Sequence, residues 1–394
     1  MTPAIDPAAY GLHASLSASD RPAPSAARNP HDTEAADVVK VLRADGTLDP
    51  TTDPRLAPAE VLRLYTAMVR LRLIDERMTT LQREGRVGYH RGSLGEEAAV
   101  LGSAFAMREK DWIFPCYREL GAALLRGMPL QRYVDHMFGN ENDPAKGRQM
   151  PDLYSWRAGH IASASSPAGT QITQAVGFAW AARIKREELA VLAYFGDGAT
   201  SSNDFHNGLN FAGVFKAPVV LFCRNNGWAQ SCPTERQTGS ETFAEKGIAY
   251  GIPGVRVDGN DLLAVVKVTR DAVARAARGE GPTLIEALTY RMGAHSTSDD
   301  PRAHRSESSL DAWRELDPIL RLRRHLARIQ PWTDASEEAV EAEIDAQLKA
   351  AVAVAETTRE PSLDSMFDDV FAAPPWHLVE QREALKKGPR PRGR

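Results

Sequence analysis

The chain is poor in cysteine: Cys116, Cys223 and Cys232 are the only three in 394 residues, and none forms a Cys-x-x-Cys pair. An odd number without paired spacing excludes a disulfide framework and points to reduced thiols. No uncharged apolar run approaches the ~20 residues that span a bilayer, so a membrane-spanning helix is not expected. A charge excess of either sign is lacking too. The 48 Lys and Arg and 52 Asp and Glu leave a net charge of −4, which gives no footprint for nucleic acid. Only the end, Lys386 to Arg394, is basic, and its Pro and Gly make it read as a frayed tail. The start, Met1-Thr2-Pro3-Ala4-Ile5-Asp6, has no basic region followed by an apolar stretch. A secretory signal is therefore not expected, and a cytoplasmic protein is.

What is present is a globular composition, 43% hydrophobic and 25% charged, long enough for one large or two ordinary domains. Residues 1–57 are rich in Ala, Pro, Asp and Ser, and read as an arm or disordered leader that could wrap a partner. Pro58 opens a long helix whose stripe is Leu62, Tyr65, Val69 and Leu73. A second helix is expected from Glu97 to Met107, where Glu96 and Glu97 read as ordinary first-turn acids. Asp111–Pro115 reads as a short strand, followed by helices over 118–126 and 129–138 and a polar loop from Gly139 to Gly159.

The most informative stretch comes next. Two apolar runs, Ala190–Phe195 and Pro218–Cys223, each end in a small polar cluster, with a helix-length segment over 205–215 between them. Asn203 or Asp204 is a plausible cap for that helix. This is the pattern of a βαβ unit, and it would set Asp197 and Asn226 at neighbouring carboxyl ends of a parallel sheet, where ligands usually bind. A carboxylate and an amide oxygen are hard donors suited to Mg²⁺ that also holds phosphate oxygens. Further strands are expected at 254–258 and 282–290, a helix at 262–278, and mostly helix from Asp311 on. The alternation implies an α/β fold: a parallel sheet with helices on both faces over 58–310, an N-terminal arm over 1–57, and a helical C-terminal section over 311–394.

Gly196-Asp197-Gly198, a spacer, then Asn225-Asn226 resembles the signature of thiamine diphosphate enzymes. Four more segments extend the likeness: Tyr117-Arg118-Glu119, Ser165 to Gln171, Arg224 to Ala229, and His295 to Asp300. In this order they resemble the alpha subunit of the E1 component of 2-oxo acid dehydrogenase complexes, the branched-chain (2-oxoisovalerate) type best, over about residues 58–380. The resemblance implies a thiamine diphosphate-binding fold and assigns roles by position. Asp197, Asn226 and the Trp228 carbonyl correspond to Mg²⁺ ligands. Tyr117, Arg118, Ser166, Ala168, Gly198, Arg224 and His295 correspond to cofactor contacts, with His295 also near the reacting centre. Ser165, Pro167, Thr170 and Gln171 correspond to a K⁺ site. Ser296 corresponds to a serine phosphorylated in mitochondrial relatives. Ala168 and Trp228 stand where the family has a larger apolar residue and Tyr.

One absence then matters more than the rest. Thiamine enzymes need a second α/β domain that grips the pyrimidine and supplies a glutamate, and no stretch of adequate length is left for it. The resemblance implies that a beta subunit supplies it in an α2β2 assembly, and that the product passes to the lipoyl group of an E2 acyltransferase. The implied substrate is a small 2-oxo acid, 2-oxoisovalerate before pyruvate or acetoin. A non-catalytic cofactor-binding subunit and a Mg²⁺-dependent nucleotide or phosphate enzyme are the competing readings of the same sheet edge.

Overall fold

The computed structural model describes residues 32–305 and 307–389. Most of the expected leader (1–31) and the basic end (390–394) lie outside the described residues. The elements in chain order are β1 (Val38–Val39), α1 (Pro58–Arg83), α2 (Glu97–Ala106), β2 (Trp112–Phe114), α3 (Leu120–Leu125), α4 (Leu130–Phe138), α5 (Thr170–Lys185), β3 (Val191–Gly196), α6 (Asn203–Phe215), β4 (Val219–Asn225), β5 (Trp228–Ala229), β6 (Cys232–Pro233), β7 (Gly254–Asp258), α7 (Leu262–Ala277), β8 (Thr283–Leu288), α8 (Glu307–Arg314), α9 (Pro318–Ile329), α10 (Asp334–Thr357) and α11 (Trp376–Lys387). None of these helices is long and apolar enough to cross a membrane.

The main sheet has six strands in the order β1-β7-β8-β4-β3-β2, every pair parallel. Strands β3 and β4 are apolar up to their last residues, and the interior of β8 is broken only by buried Glu286, because both faces of the sheet are covered. Leu192, Tyr194, Val220, Phe222, Ile285 and Ala287 face a core shared with α1, α2 and α7. The alternate residues Val191, Ala193, Phe195, Val219, Leu221 and Cys223 face α5 and α6. Leu322, Leu326, Ile344, Leu348 and Val352 join the first of these cores, so α9 and α10 pack on the sheet domain.

Two details differ from the sequence reading. Beyond residue 31 the arm is an integral part of the domain. β1 pairs with β7, and Asp261 Oδ2 accepts the Val41 and Leu42 N–H groups at 2.7 and 2.6 Å. Average composition concealed this, since two short apolar residues suffice to extend a sheet that already exists. The cap of α6 is Ser202, whose hydroxyl accepts the Phe205 N–H at 3.2 Å, rather than Asn203 or Asp204.

Candidate active site

The parallel sheet delivers the site through the ends of its strands. Gly196 of β3 stands in register with Arg224 of β4, and Asn225 with Leu288 of β8. Chain leaving β2 brings Tyr117 and Arg118, β3 brings Asp197 and Gly198, β4 brings Arg224 and Asn226, and β8 brings Arg291 and His295. All of these, with Ala168 and Trp228, line one cavity of about 300 Å³.

On one side of the cavity the donors are oxygens. Asp197 is 1% exposed, and burial pushes its carboxyl up to about 6 although Gln237 Nε2 donates to Oδ2 at 2.6 Å. The Asn226 amide nitrogen donates to Glu96 Oε1 at 3.0 Å, and its oxygen accepts the Trp228 N–H at 3.2 Å. The Trp228 carbonyl accepts from Arg291 at 3.3 Å. Among the described residues no group of three His, Cys, Asp or Glu could hold a metal by itself. One carboxylate, one amide oxygen and one carbonyl instead fit a Mg²⁺ whose remaining ligands come from a bound phosphate. Gly198 closes this side: a Cβ there would lie 2.5 Å from the Ala229 Cβ, in the turn that carries Trp228.

The same cavity is lined by positive charge that no ion pair among the described residues neutralises. Arg118 and Arg291 are 4% and 1% exposed. Arg118 Nε donates to the Gly92 carbonyl at 3.0 Å, and its Nη2 reaches the His295 carbonyl and, at 3.2 Å, His295 Nδ1. Arg291 Nη1 stands 3.4 Å from the same Nδ1, and Nη2 donates to the Gln230 carbonyl at 2.8 Å. Neither guanidinium forms an ion pair with a described carboxylate. Burial, then the neighbouring Arg118, brings Arg291 down to about 10. His295 Nδ1, facing two donors, must accept, so its proton is on Nε2. Burial, then Arg118, Arg291 and Arg91, holds this imidazole neutral, down at about 3. Two buried cations beside a neutral histidine make a seat for an anion.

Arg224 is placed differently. It lines the cavity, but its Nη1 donates to Glu96 Oε2 at 2.8 Å and its Nη2 to Glu119, and only Nε is buried without a partner. Its charge is already matched, so its contribution to an anion is smaller than that of Arg118 or Arg291. Ser166 is exposed and is not part of the cavity wall. Ser165 Oγ and Thr170 Oγ1 lie 2.8 Å apart, and Thr170 Oγ1 donates to the Pro167 carbonyl at 3.1 Å. Gln171 gives its amide nitrogen to the Tyr194 carbonyl and keeps a buried oxygen with no partner.

Sequence reading missed Glu96, Arg291 and Gln237. Glu96 is fully buried and holds Asn226 with one oxygen and Arg224 with the other. A signal existed: α2 behind it is almost wholly small and apolar, so acids at its start had to be buried against something.

The family model for the dehydrogenase E1 component matches residues 65–364. The mouse mitochondrial 2-oxoisovalerate dehydrogenase subunit alpha is 40% identical over 352 residues, covering 89% of this chain and 80% of that protein. The Arabidopsis thaliana subunit alpha 2 is 41% identical over 90% of this chain and 76% of its own length. The Caenorhabditis elegans subunit is 39% identical, with 91% and 83% covered.

The chain belongs to the dehydrogenase E1 component family.

Family membership implies thiamine diphosphate, and the cavity of this E1 chain fits it in two independent ways. Asp197, Asn226 and the Trp228 carbonyl bring hard oxygens to it, and Arg118 and Arg291 bring positive charge with no ion-pair partner among the described residues. The arginines differ in their partners: Arg224 is paired with Glu96 and Glu119, while Arg118 and Arg291 meet at His295.

Proposed function

We propose that this chain is the alpha subunit of a 2-oxoisovalerate dehydrogenase, decarboxylating a branched 2-oxo acid and passing the acyl group to the lipoyl group of an E2 partner. The observation that carries the cofactor half of this reading is the buried Arg118–Arg291 pair, with no ion-pair partner among the described carboxylates, lining one cavity with Asp197 and Asn226. Thiamine diphosphate, when bound, supplies a nucleophilic carbon and an electron sink. The chain's own residues do the rest. Asp197, Asn226 and the Trp228 carbonyl hold Mg²⁺, and Arg118 and Arg291 neutralise diphosphate oxygens. Gly198 admits the phosphate close to the backbone. Tyr117 and Ala168 would wall the cofactor, and His295, neutral with its proton on Nε2, would be available as a proton donor beside it.

The described residues hold one six-stranded parallel sheet and, besides it, only the β5–β6 pair. In this reading a beta subunit brings the pyrimidine-binding domain and its glutamate in an α2β2 assembly. The Gln171 oxygen, buried without a partner, and separately the oxygens of Ser165, Pro167 and Thr170 gathered at the start of α5 support a K⁺ site there. The three free thiols suit a reducing compartment, the cytoplasm in this reading; the curated relatives are named mitochondrial.

Calorimetric titration of the co-purified α/β assembly with thiamine diphosphate and Mg²⁺, followed by assay with 2-oxoisovalerate and pyruvate, tests the reading. Saturable, Mg²⁺-dependent binding and preferred turnover of 2-oxoisovalerate are expected. Binding of nucleotides with no preference for thiamine diphosphate would refute it.

A further inference from the structure

Behind the cavity wall lies a charged cluster with no place in the function above. His90 is 2% exposed. Its Nε2 stands 3.3 Å from Asp75 Oδ1, and its Nδ1 stands 3.3 Å from Asp152 Oδ1. Only the Nδ1 contact with Asp152 has hydrogen-bond geometry, while Nε2 meets Asp75 as a charge contact; a carboxylate beside each nitrogen favours the doubly protonated ring. Burial pulls the other way, but Asp152 and Asp75 together raise the group to about 10.

The two carboxylates reach well beyond the histidine. Asp75, from α1, accepts the Ser93 N–H and hydroxyl through Oδ2 at 2.6 and 3.0 Å. Asp152, from the loop after α4, accepts the Arg91 N–H through Oδ2 at 2.7 Å and the Tyr133 hydroxyl through Oδ1 at 3.0 Å. A cavity of about 390 Å³ opens beside His90, and the other charged groups on it are Glu76 and Arg83 of α1 and Asp299. The cluster thus clamps residues 90–93 from both sides of the chain.

That clamped segment is where the anion seat is anchored. The Gly92 carbonyl receives Arg118 Nε at 3.0 Å. His90 and Thr297 are joined twice: the His90 N–H donates to Thr297 Oγ1 at 3.1 Å, and the Thr297 N–H donates to the His90 carbonyl at 3.0 Å. The Leu94 carbonyl receives the Met292 N–H at 3.0 Å. These bonds, at Met292 and Thr297, fall on either side of His295 in the chain, the first directly after Arg291. We infer that His90 is a positioning residue: clamped between Asp75 and Asp152, it holds the segment that aligns Arg118 with the Arg291–His295 loop.

The inference rests on the thiamine reading, because its readout is cofactor affinity. Removing the imidazolium leaves two buried carboxylates without their shared cation, which strains the clamp more than loss of one ring would. The test uses the complete α/β assembly, titrated calorimetrically with thiamine diphosphate at saturating Mg²⁺. His90→Gln is expected to weaken binding about tenfold or more, in the range seen when supporting partners of a site are removed. Asp75→Asn in the His90→Gln background is expected to restore most of the loss by removing one of the unpaired charges; a residue that only fills space would give additive losses. Thr297→Val leaves the cluster whole and cuts one of its two links to the loop. It is expected to weaken binding severalfold with an unchanged Tm of the cofactor-free assembly, and this holds as the test should His90→Gln fail to assemble. Binding within twofold of wild type in both His90→Gln and Thr297→Val, or additive losses in the double variant, would overturn the inference alone. Failure of the wild-type assembly to bind thiamine diphosphate would overturn the thiamine reading and this inference with it.

Discussion

Glu96 Oε1 accepts a hydrogen bond from the Asn226 amide nitrogen at 3.0 Å, and this contact decides which end of the amide serves the cavity. A carboxylate can only accept, so the amide must present nitrogen to Glu96 and oxygen elsewhere. The direction of the Asn226 oxygen, which we propose meets Mg²⁺, is therefore set by a residue 130 positions earlier in the chain. The same carboxylate neutralises Arg224.

Glu96→Gln keeps the shape and removes that instruction, since a Gln side chain can donate or accept. The Mg²⁺ concentration for half-maximal cofactor binding is expected to rise about 10–100-fold, the usual effect of losing a partner behind a ligand. Titration of Mg²⁺ at fixed thiamine diphosphate measures it. An unchanged Mg²⁺ requirement would mean that Asn226 is oriented by something else.

Gly198 offers a steric test. Its substituent would meet the Ala229 Cβ at 2.5 Å, and Ala229 belongs to the short β5–β6 hairpin at the surface of the site. Gly198→Ala is expected to displace that hairpin and the Trp228 carbonyl with it. Cofactor affinity should fall about tenfold or more while the Tm of the cofactor-free protein moves by only a few degrees, because the hairpin carries little of the core. Calorimetry and thermal unfolding on one preparation read both.

Charge at His295 is the next consequence. Arg118 and Arg291 both hold this imidazole in its neutral form, behind burial in importance. Histidine side-chain NMR is expected to show the Nε2-protonated neutral ring throughout pH 5–8. Arg118→Gln should move the titration up toward the ordinary 6.5 and weaken cofactor binding together. A cationic His295 at pH 6 in the wild-type protein would contradict the geometry of two donors on Nδ1.

Buried His90 and half-buried His295 affect stability with opposite signs. His90 is raised to about 10, so its contribution is fully present below about pH 6.5, the unfolded value, and fades as pH climbs through 10. His295 is lowered to about 3, so stability falls as pH drops from about 6.5 toward that value. Comparing Tm against pH from 6.5 to 10 for wild type and His90→Gln isolates the first effect. The wild-type curve is expected to fall more steeply. Parallel curves would show that His90 carries no folded-state proton in that window.

Much of this was legible in the residues. The apolar runs of β3 and β4 and the polar clusters behind them placed Asp197 and Asn226 at adjacent strand ends, because a parallel sheet buried on both faces leaves little choice of pattern. His295 and Arg118 followed from motif order. Contacts that join distant segments stayed hidden: Glu96 to Asn226, His90 to Asp75 and Asp152, and Asp261 to the arm all depend on where the chain returns in space. Local sequence marks Glu96 as a first-turn acid and His90 as one histidine in a polar stretch. Only packing shows that each is buried and what it meets. Ser202 displaced Asn203 as cap for a smaller reason, a shift of one residue in where the helix begins.

The most direct measurement is turnover of 2-oxoisovalerate by this chain alone and by its assembly with a beta subunit, each with thiamine diphosphate and Mg²⁺. With Asp197, Asn226, Arg118 and Arg291 holding only the diphosphate end, the assembly is expected to turn over and the highly purified chain alone is expected to be inactive. Decarboxylation by the chain alone, or a correctly assembled and cofactor-saturated complex with no activity on any 2-oxo acid, would contradict a site that is half-built here and completed by a partner.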